Sequence, residues 1–254
     1  MNIGKVENYL YNRIKERGCI HVILIDPDKF YKINFEKLCT AIEKAGTSAI
    51  LVGGSTGITE SIMMNTIAEI KKFSSLPVII FPSGLSSIAK NADAIFYMSL
   101  LNSLNPYYLI DAQMLAAPII KKYGLEAIPM GYLIIGEGEA VSYVGWARPI
   151  PHRHNSIAAA YAMAAEMLGM RMIYLEAGSG SKESVYPEMI ESVRNAVNIK
   201  IIVGGGIREE ETAGRIARAG ADMIVTGTLI ENLSEYDKLY SKLKAINDRI
   251  SSKV

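Results

Sequence analysis

The chain has 254 residues, 50% hydrophobic and 21% charged, enough for one barrel-sized domain (1–254) with a large core. A formal net charge of +1 argues against nucleic-acid binding, which calls for a basic excess or patch. The two cysteines, Cys19 and Cys39, lack CxxC spacing and argue against a disulfide scaffold or a thiolate metal site. The first seven residues carry no signal-peptide pattern, and the longest apolar runs, such as Ile20 to Ile25, are too short to span a bilayer. The expected location is the cytoplasm, with membrane contact at most peripheral.

In chain order, Ile20 to Ile25 reads as a strand ending at Asp26-Pro27-Asp28-Lys29. Phe35 to Ala45 reads as a helix closed by Gly46. Ala49 to Val52 is a second strand, running into Gly53-Gly54-Ser55-Thr56-Gly57. The following helix carries Met63, Ile67 and Ile70, the stripe of one buried face. A third strand covers Pro77 to Phe81. The next stretch, Leu85 to Asn91, is too short and polar for a barrel helix, and a fourth strand follows at once over Ala92 to Met98. The third helix is therefore expected to be missing or reduced to a turn.

Asn105-Pro106 begins the next helix with an N-cap and a first-turn proline, and Gly124 ends it. Ala127 to Ile135 is a fifth strand, and 136–151 reads as a long loop holding the single tryptophan, Trp146. Trp146 lies beside Arg148, and both residue types are favoured at interface hot spots, so a homo-oligomer contact is expected there. His152 and His154, near Arg148 and Arg153, read as a solvated patch or interface. An alanine-rich helix, Ser156 to Leu168, is capped by Gly169. After the sixth strand, Tyr186, Ile190, Val193 and Val197 share one helical face. After the seventh, Glu209, Glu210 and Glu211 enter a helix's first turn, where its dipole favours acids. Leu239, Leu243, Ile246 and Ile250 mark the last helix.

Strand and helix thus alternate about eight times, and the strands are continuous aliphatic runs, as in parallel sheets buried on both faces. The segments 45–54 and 219–228 echo each other, which suits a repeated βα unit. A single (β/α)8 barrel with a degenerate or missing third helix is the expected fold. A doubly wound open sheet is the rival, but its glycine turn belongs after strand 1.

Three late strands run straight into glycine turns. They are Tyr174-Leu175-Glu176-Ala177-Gly178-Ser179-Gly180, Val203 into Gly204-Gly205-Gly206, and Thr226 into Gly227-Thr228. Glycine lets the backbone approach an anion and aim N–H groups at it. Three such turns on adjacent strands form a cup for one phosphate, at the barrel face where phosphate sites cluster. Asp26 ends strand 1 on that face, although Asp before Pro also suits a plain turn. Ser55 ends strand 2, where it can cap a helix or join a hard cation beside a carboxylate. Glu176 interrupts an apolar strand and shares a face with Tyr174. A buried acid needs a partner: either a structural cation, or a bound phosphoester for which Glu176 is the general base.

These motifs, with Phe96-Tyr97-Met98-Ser99-Leu100-Leu101-Asn102-Ser103 on strand 4, resemble the geranylgeranylglyceryl phosphate synthase family, which includes the heptaprenylglyceryl phosphate synthases. The resemblance covers nearly the whole chain with its motifs in order. It implies a prenyltransferase joining sn-glycerol 1-phosphate to a prenyl diphosphate with Mg2+. It maps the phosphate cup to Tyr174, Leu175, Glu176, Ala177, Gly178, Ser179, Gly180, Gly205, Gly206, Gly227 and Thr228. It maps metal ligation to Asp26 and Ser55. The chain lacks the paired DDxxD clusters of chain-elongating prenyltransferases, so elongation is not supported. A sugar-phosphate isomerase or cyclase, and a non-catalytic phosphate-binding assembly protein, stand as rivals.

Overall fold

A computed structural model describes residues 3–28, 34–54, 57–227 and 236–251. Eight parallel strands close into a barrel in sequence order. They are β1 (Ile20–Ile25), β2 (Ala49–Val52), β3 (Val78–Ile80), β4 (Ala94–Leu100), β5 (Glu126–Ile134), β6 (Met172–Glu176), β7 (Lys200–Gly204) and β8 (Met223–Thr226). The seam joins β1 to β8, with His21 opposite Ile224 and Ile23 opposite Thr226. The open-sheet alternative is thereby excluded.

Side chains alternate across each strand, so one set fills the barrel and the other meets the helices. Ile20, Val22, Leu51, Ile79, Phe96, Met130, Tyr174, Ile202 and Val225 form the interior. Ile23, Ile25, Ile50, Val52 and Ile80 face outward on one side, against α2 (Phe35–Lys44) and α3 (Glu60–Phe73). Ile173, Leu175, Ile201, Val203 and Ile224 do so on the other. There they meet α6 (Asn155–Met167), α7 (Pro187–Ala196), α8 (Glu210–Arg218) and α9 (Tyr236–Ser251).

A helix that the periodicity reading passed over, α1 (Lys5–Arg17), precedes β1. Its Val6, Leu10 and Ile14 join the interior cluster and stop the barrel's N-terminal end. The carboxylate of Glu126, at the start of β5, accepts hydrogen bonds from the Val6 and Glu7 amides, both at 2.8 Å, and so caps α1 from another element. Buried Glu7 pairs with Arg171 through two 2.6 Å contacts. With that end plugged, the opposite rim is where a ligand can enter.

Between β3 and β4 the only helical turn among the described residues is a short 3-10 segment, Leu85–Ser87, as the polar stretch predicts. In place of the third helix, Ile88 and Ala89 pack with Ile80 and Ile95. The helix expected from Asn105 begins differently. Asn105 Oδ1 does accept from the Tyr107 amide at 3.0 Å, but the first turn, Tyr107–Asp111, is π-helical before α4 (Ala112–Tyr123) begins. The expected 136–151 loop contains a short helix, α5 (Glu139–Val144), entered through left-handed Gly138. Among the described residues, no helix is long and apolar enough to cross a membrane.

Candidate active site

The turns after β6 and β7 come together at the rim. Gly205 adopts φ +84°, and a Cβ there would lie 2.5 Å from Glu176 Oε1 and 2.6 Å from the Gly178 nitrogen. Gly206, at φ +69°, packs against the Glu183 carbonyl. Gly178, at φ +104°, leaves no room beside Glu139. Glycine at these positions is set by backbone conformation and by close approach together. Arg208 donates to the Gly180 carbonyl at 2.9 Å and ties the two turns further.

Glu176 points into the barrel mouth and is buried. Among the described residues, the partners it finds are neutral donors and not a lysine or arginine. Its Oε1 accepts from the Gly178 amide at 2.7 Å, and its Oε2 from the Tyr132 hydroxyl at 3.3 Å. The Tyr174 hydroxyl also bonds this carboxylate. Burial pushes its pKa above the ordinary carboxyl value, and these three donors oppose that rise. Burial, and then the neighbouring carboxylate, hold both tyrosine hydroxyls well above their usual pKa, so they stay protonated donors. Phe81 at the end of β3 packs edge-on to Tyr132 at 5.8 Å and tilted on Tyr174 at 5.5 Å. Tyr132 and Phe81 line the candidate site and were not among the residues singled out from the sequence. The available signal was the β5 alternation, which puts Tyr132 on the same face as Met130 and Ile134.

Gly227 differs from the other cup glycines. Its φ is not left-handed, and among the described residues the nearest neighbour of a Cβ would be Leu24, at an ordinary 3.6 Å. It follows β8 directly and so sits on the same rim, whereas Thr228 lies outside the described residues. Asp26 follows β1, separated from β6 by β7 and β8 in the ring. Its Oδ1 accepts from the Asp28 amide at 3.1 Å and lies 2.5 Å from where a Gly54 Cβ would stand. The β1 and β2 turns therefore adjoin, but Ser55 lies outside the described residues.

His152 is not the solvated residue expected. It is half-buried and stacked on Tyr186 at 4.1 Å and 15°, over the space left by Gly136. Tyr186 precedes α7 and covers no core, because the chain turns into the helix only at Pro187.

The chain matches the model of the PcrB family over residues 11–247. It is 49% identical over 247 residues to the geranylgeranylglyceryl phosphate synthase of Thermococcus kodakarensis, covering 97% of this chain and 98% of the relative. It is 48% identical over 250 residues to that of Thermococcus gammatolerans, covering 98% and 99%. The chain belongs to the PcrB family. A PcrB-family structure extends the likeness to geometry. The (S)-3-O-geranylgeranylglyceryl phosphate synthase of Thermoplasma acidophilum, in complex with substrate sn-glycerol-1-phosphate, is 40% identical with a TM-score of 0.88. The match covers 98% of this chain and 99% of that one. Tryptophan synthase from M. tuberculosis, 14% identical with a TM-score of 0.62, shares the fold alone.

Proposed function

We propose that this chain is a prenyltransferase joining sn-glycerol 1-phosphate to geranylgeranyl diphosphate, with release of diphosphate. The observation that carries the reading is the full-length likeness to an enzyme crystallised with sn-glycerol-1-phosphate. The clustering of Glu176 with the β6 and β7 glycine turns supports it. The backbone groups of Ser179, Gly180, Gly205, Gly206, Gly227 and Thr228 hold the phosphate, because the Ala177 and Gly178 amides are already bonded to the Gly204 carbonyl and Glu176. The substrate's free hydroxyl is thereby brought to Glu176. Its oxygen bonds the allylic C1 as the bond from C1 to the diphosphate oxygen breaks, and Glu176 takes the hydroxyl proton. Tyr132, Tyr174 and the Gly178 amide aim the carboxylate, so that positioning contributes to the rate.

The prenyl chain lies near β3 and β4, where the third barrel helix is reduced to a 3-10 turn. Mg2+ suits the β1–β2 mouth, because hard cations are commonly held by one or two carboxylates plus substrate phosphates, and Asp26 offers a carboxylate there. Asp26 and Ser55 would hold the ion. When bound, it supplies positive charge to the departing diphosphate. The enzyme works in the cytoplasm as a homo-oligomer.

Incubation with labelled sn-glycerol 1-phosphate, geranylgeranyl diphosphate and Mg2+ should transfer label to a lipid-soluble phosphate. If only a longer prenyl diphosphate does so, the chemistry stands and the chain length changes. If none does, the reading fails. The phosphate site has its own test in Gly227→Val. A Cβ there meets Leu24 at an ordinary 3.6 Å among the described residues, so a loss of affinity by calorimetry in a folded variant reports on the ligand. Unchanged affinity in the folded variant would remove Gly227 from the site.

A further inference from the structure

The outer faces of the strands are almost wholly aliphatic, and His21 is an exception. It alternates with Ile20 and Val22, which face inward, and shares its outward face with Ile23 and Ile25. It is fully buried. Nδ1 lies 2.9 Å from Thr47 Oγ1, and Nε2 lies 2.8 Å from Thr226 Oγ1. Thr47 leads into β2 and Thr226 ends β8, so one ring ties three strands at the seam where the barrel closes. Burial lowers the imidazole pKa to about 3, which keeps it neutral. One nitrogen then donates and the other accepts, and a threonine hydroxyl can complement either.

An aliphatic side chain would fill this place without the cost of burying polar groups. The relay has a different consequence at its Thr226 end. Thr226 is the last residue of β8, and the peptide after it carries Gly227. Gly227 has no side chain of its own to anchor it, and the nearest side chain in its Cβ direction is Leu24 at 3.6 Å. Thr226 is thus the described side chain beside Gly227 that is anchored by a hydrogen bond.

We infer that His21 is a positioning residue for glycerol phosphate binding: through Thr226 Oγ1 it holds the end of β8 so that Gly227 faces the phosphate. This rests on the proposed phosphate site. Thr226→Val removes the hydroxyl and keeps the shape. It should raise the calorimetric Kd for sn-glycerol 1-phosphate about three- to tenfold, the range expected for losing one hydrogen bond. Thr226→Ser should restore the wild-type Kd to within twofold. Thr47→Val removes the other partner of the same ring, away from the rim. It should lower the melting temperature about as much as Thr226→Val and leave Kd unchanged.

Two outcomes overturn the inference: a wild-type Kd in Thr226→Val, or an equal rise in Thr47→Val, which would mark a general loss of stability. Should Thr226→Val not fold, Thr226→Ala is read by the same criteria. Gly227→Val separates the two proposals. Lost binding there with none lost in Thr226→Val overturns only the role of His21, whereas wild-type binding in Gly227→Val removes Gly227 from the site and the role of His21 with it, and leaves the prenyl transfer to its own assay.

Discussion

Glu176 is the base in the proposed reaction, and its surroundings set how it titrates. Burial raises its pKa above the ordinary 4.5 against the pull of the Gly178 amide and the two tyrosine hydroxyls. In the window just above pH 4.5 the folded chain therefore binds more protons than the unfolded chain. The contribution of this group to stability is then present at low pH and falls as pH rises through the window. The same shift moves the acid limb of the kcat/KM profile above 4.5, closer to where a base works best. Glu176→Gln keeps the size but cannot take the proton. Steady-state kinetics should show kcat reduced about 10²–10⁴-fold with a near-normal KM for sn-glycerol 1-phosphate, and residual activity without that acid limb. A kcat within a few-fold of wild type would leave Glu176 an orienting acid. Asp26 is tested in the same way. Asp26→Asn should keep the fold and the glycerol phosphate affinity while losing Mg2+-dependent turnover, because an amide lacks the charge that holds the ion. Wild-type activity at limiting Mg2+ would remove that role.

The βα turns that make up the cup are not equivalent. A methyl at Gly205 would push into Glu176 Oε1 and the Gly178 amide from a left-handed backbone. Gly205→Ala should therefore destabilise the fold by about 1–3 kcal/mol, the usual cost of holding a side chain in such a conformation. It should also weaken turnover by displacing the base, with the two effects read together in a denaturant melt and an activity assay. Gly227 carries neither penalty, so the same chemical change there isolates the ligand. A Gly205→Ala variant with wild-type stability and kcat would mean that the β6 and β7 turns can part without cost. The short turn between β3 and β4 is legible in the sequence because its polar, helix-poor composition is a local property. The π-helical first turn after Asn105 is not, because it is tied to the strands beneath. The Ser99 hydroxyl donates to the Leu109 carbonyl at 2.7 Å, and the Gln113 amide donates to the Met98 carbonyl at 2.5 Å.

Across the whole molecule, the 139–147 segment presents an apolar surface. Trp146 is 64% exposed and Tyr143 89%, so neither folds back onto its own barrel. Leu104, 68% exposed, donates its amide to the Trp146 carbonyl at 2.9 Å and extends the patch. Trp146 also holds φ +51°, an unfavourable conformation for a bulky residue. An exposed aromatic in such a conformation suits a contact with another copy of the chain. Trp146→Ala should shift the sedimentation profile towards smaller species across concentrations. An unchanged profile would show that the segment is not an essential contact.

The order of strands, the reduced third helix and the glycine turns after β6 and β7 follow from the sequence alone, because hydrophobic period and turn chemistry act over a few residues. The placement of Glu176 on the inner face follows too, since alternation with Tyr174 needs only one strand. What those residues touch was decided by the closed barrel. Its register brings Tyr132 of β5 to Glu176 of β6, sets the Gly205 turn against Gly178, and joins His21 to Thr226 across 205 residues of chain. It also stacked His152, read from the sequence as part of a solvated patch or interface, on the ring of Tyr186. Such pairings depend on strand tilt and stagger around the whole ring, and no local pattern encodes them.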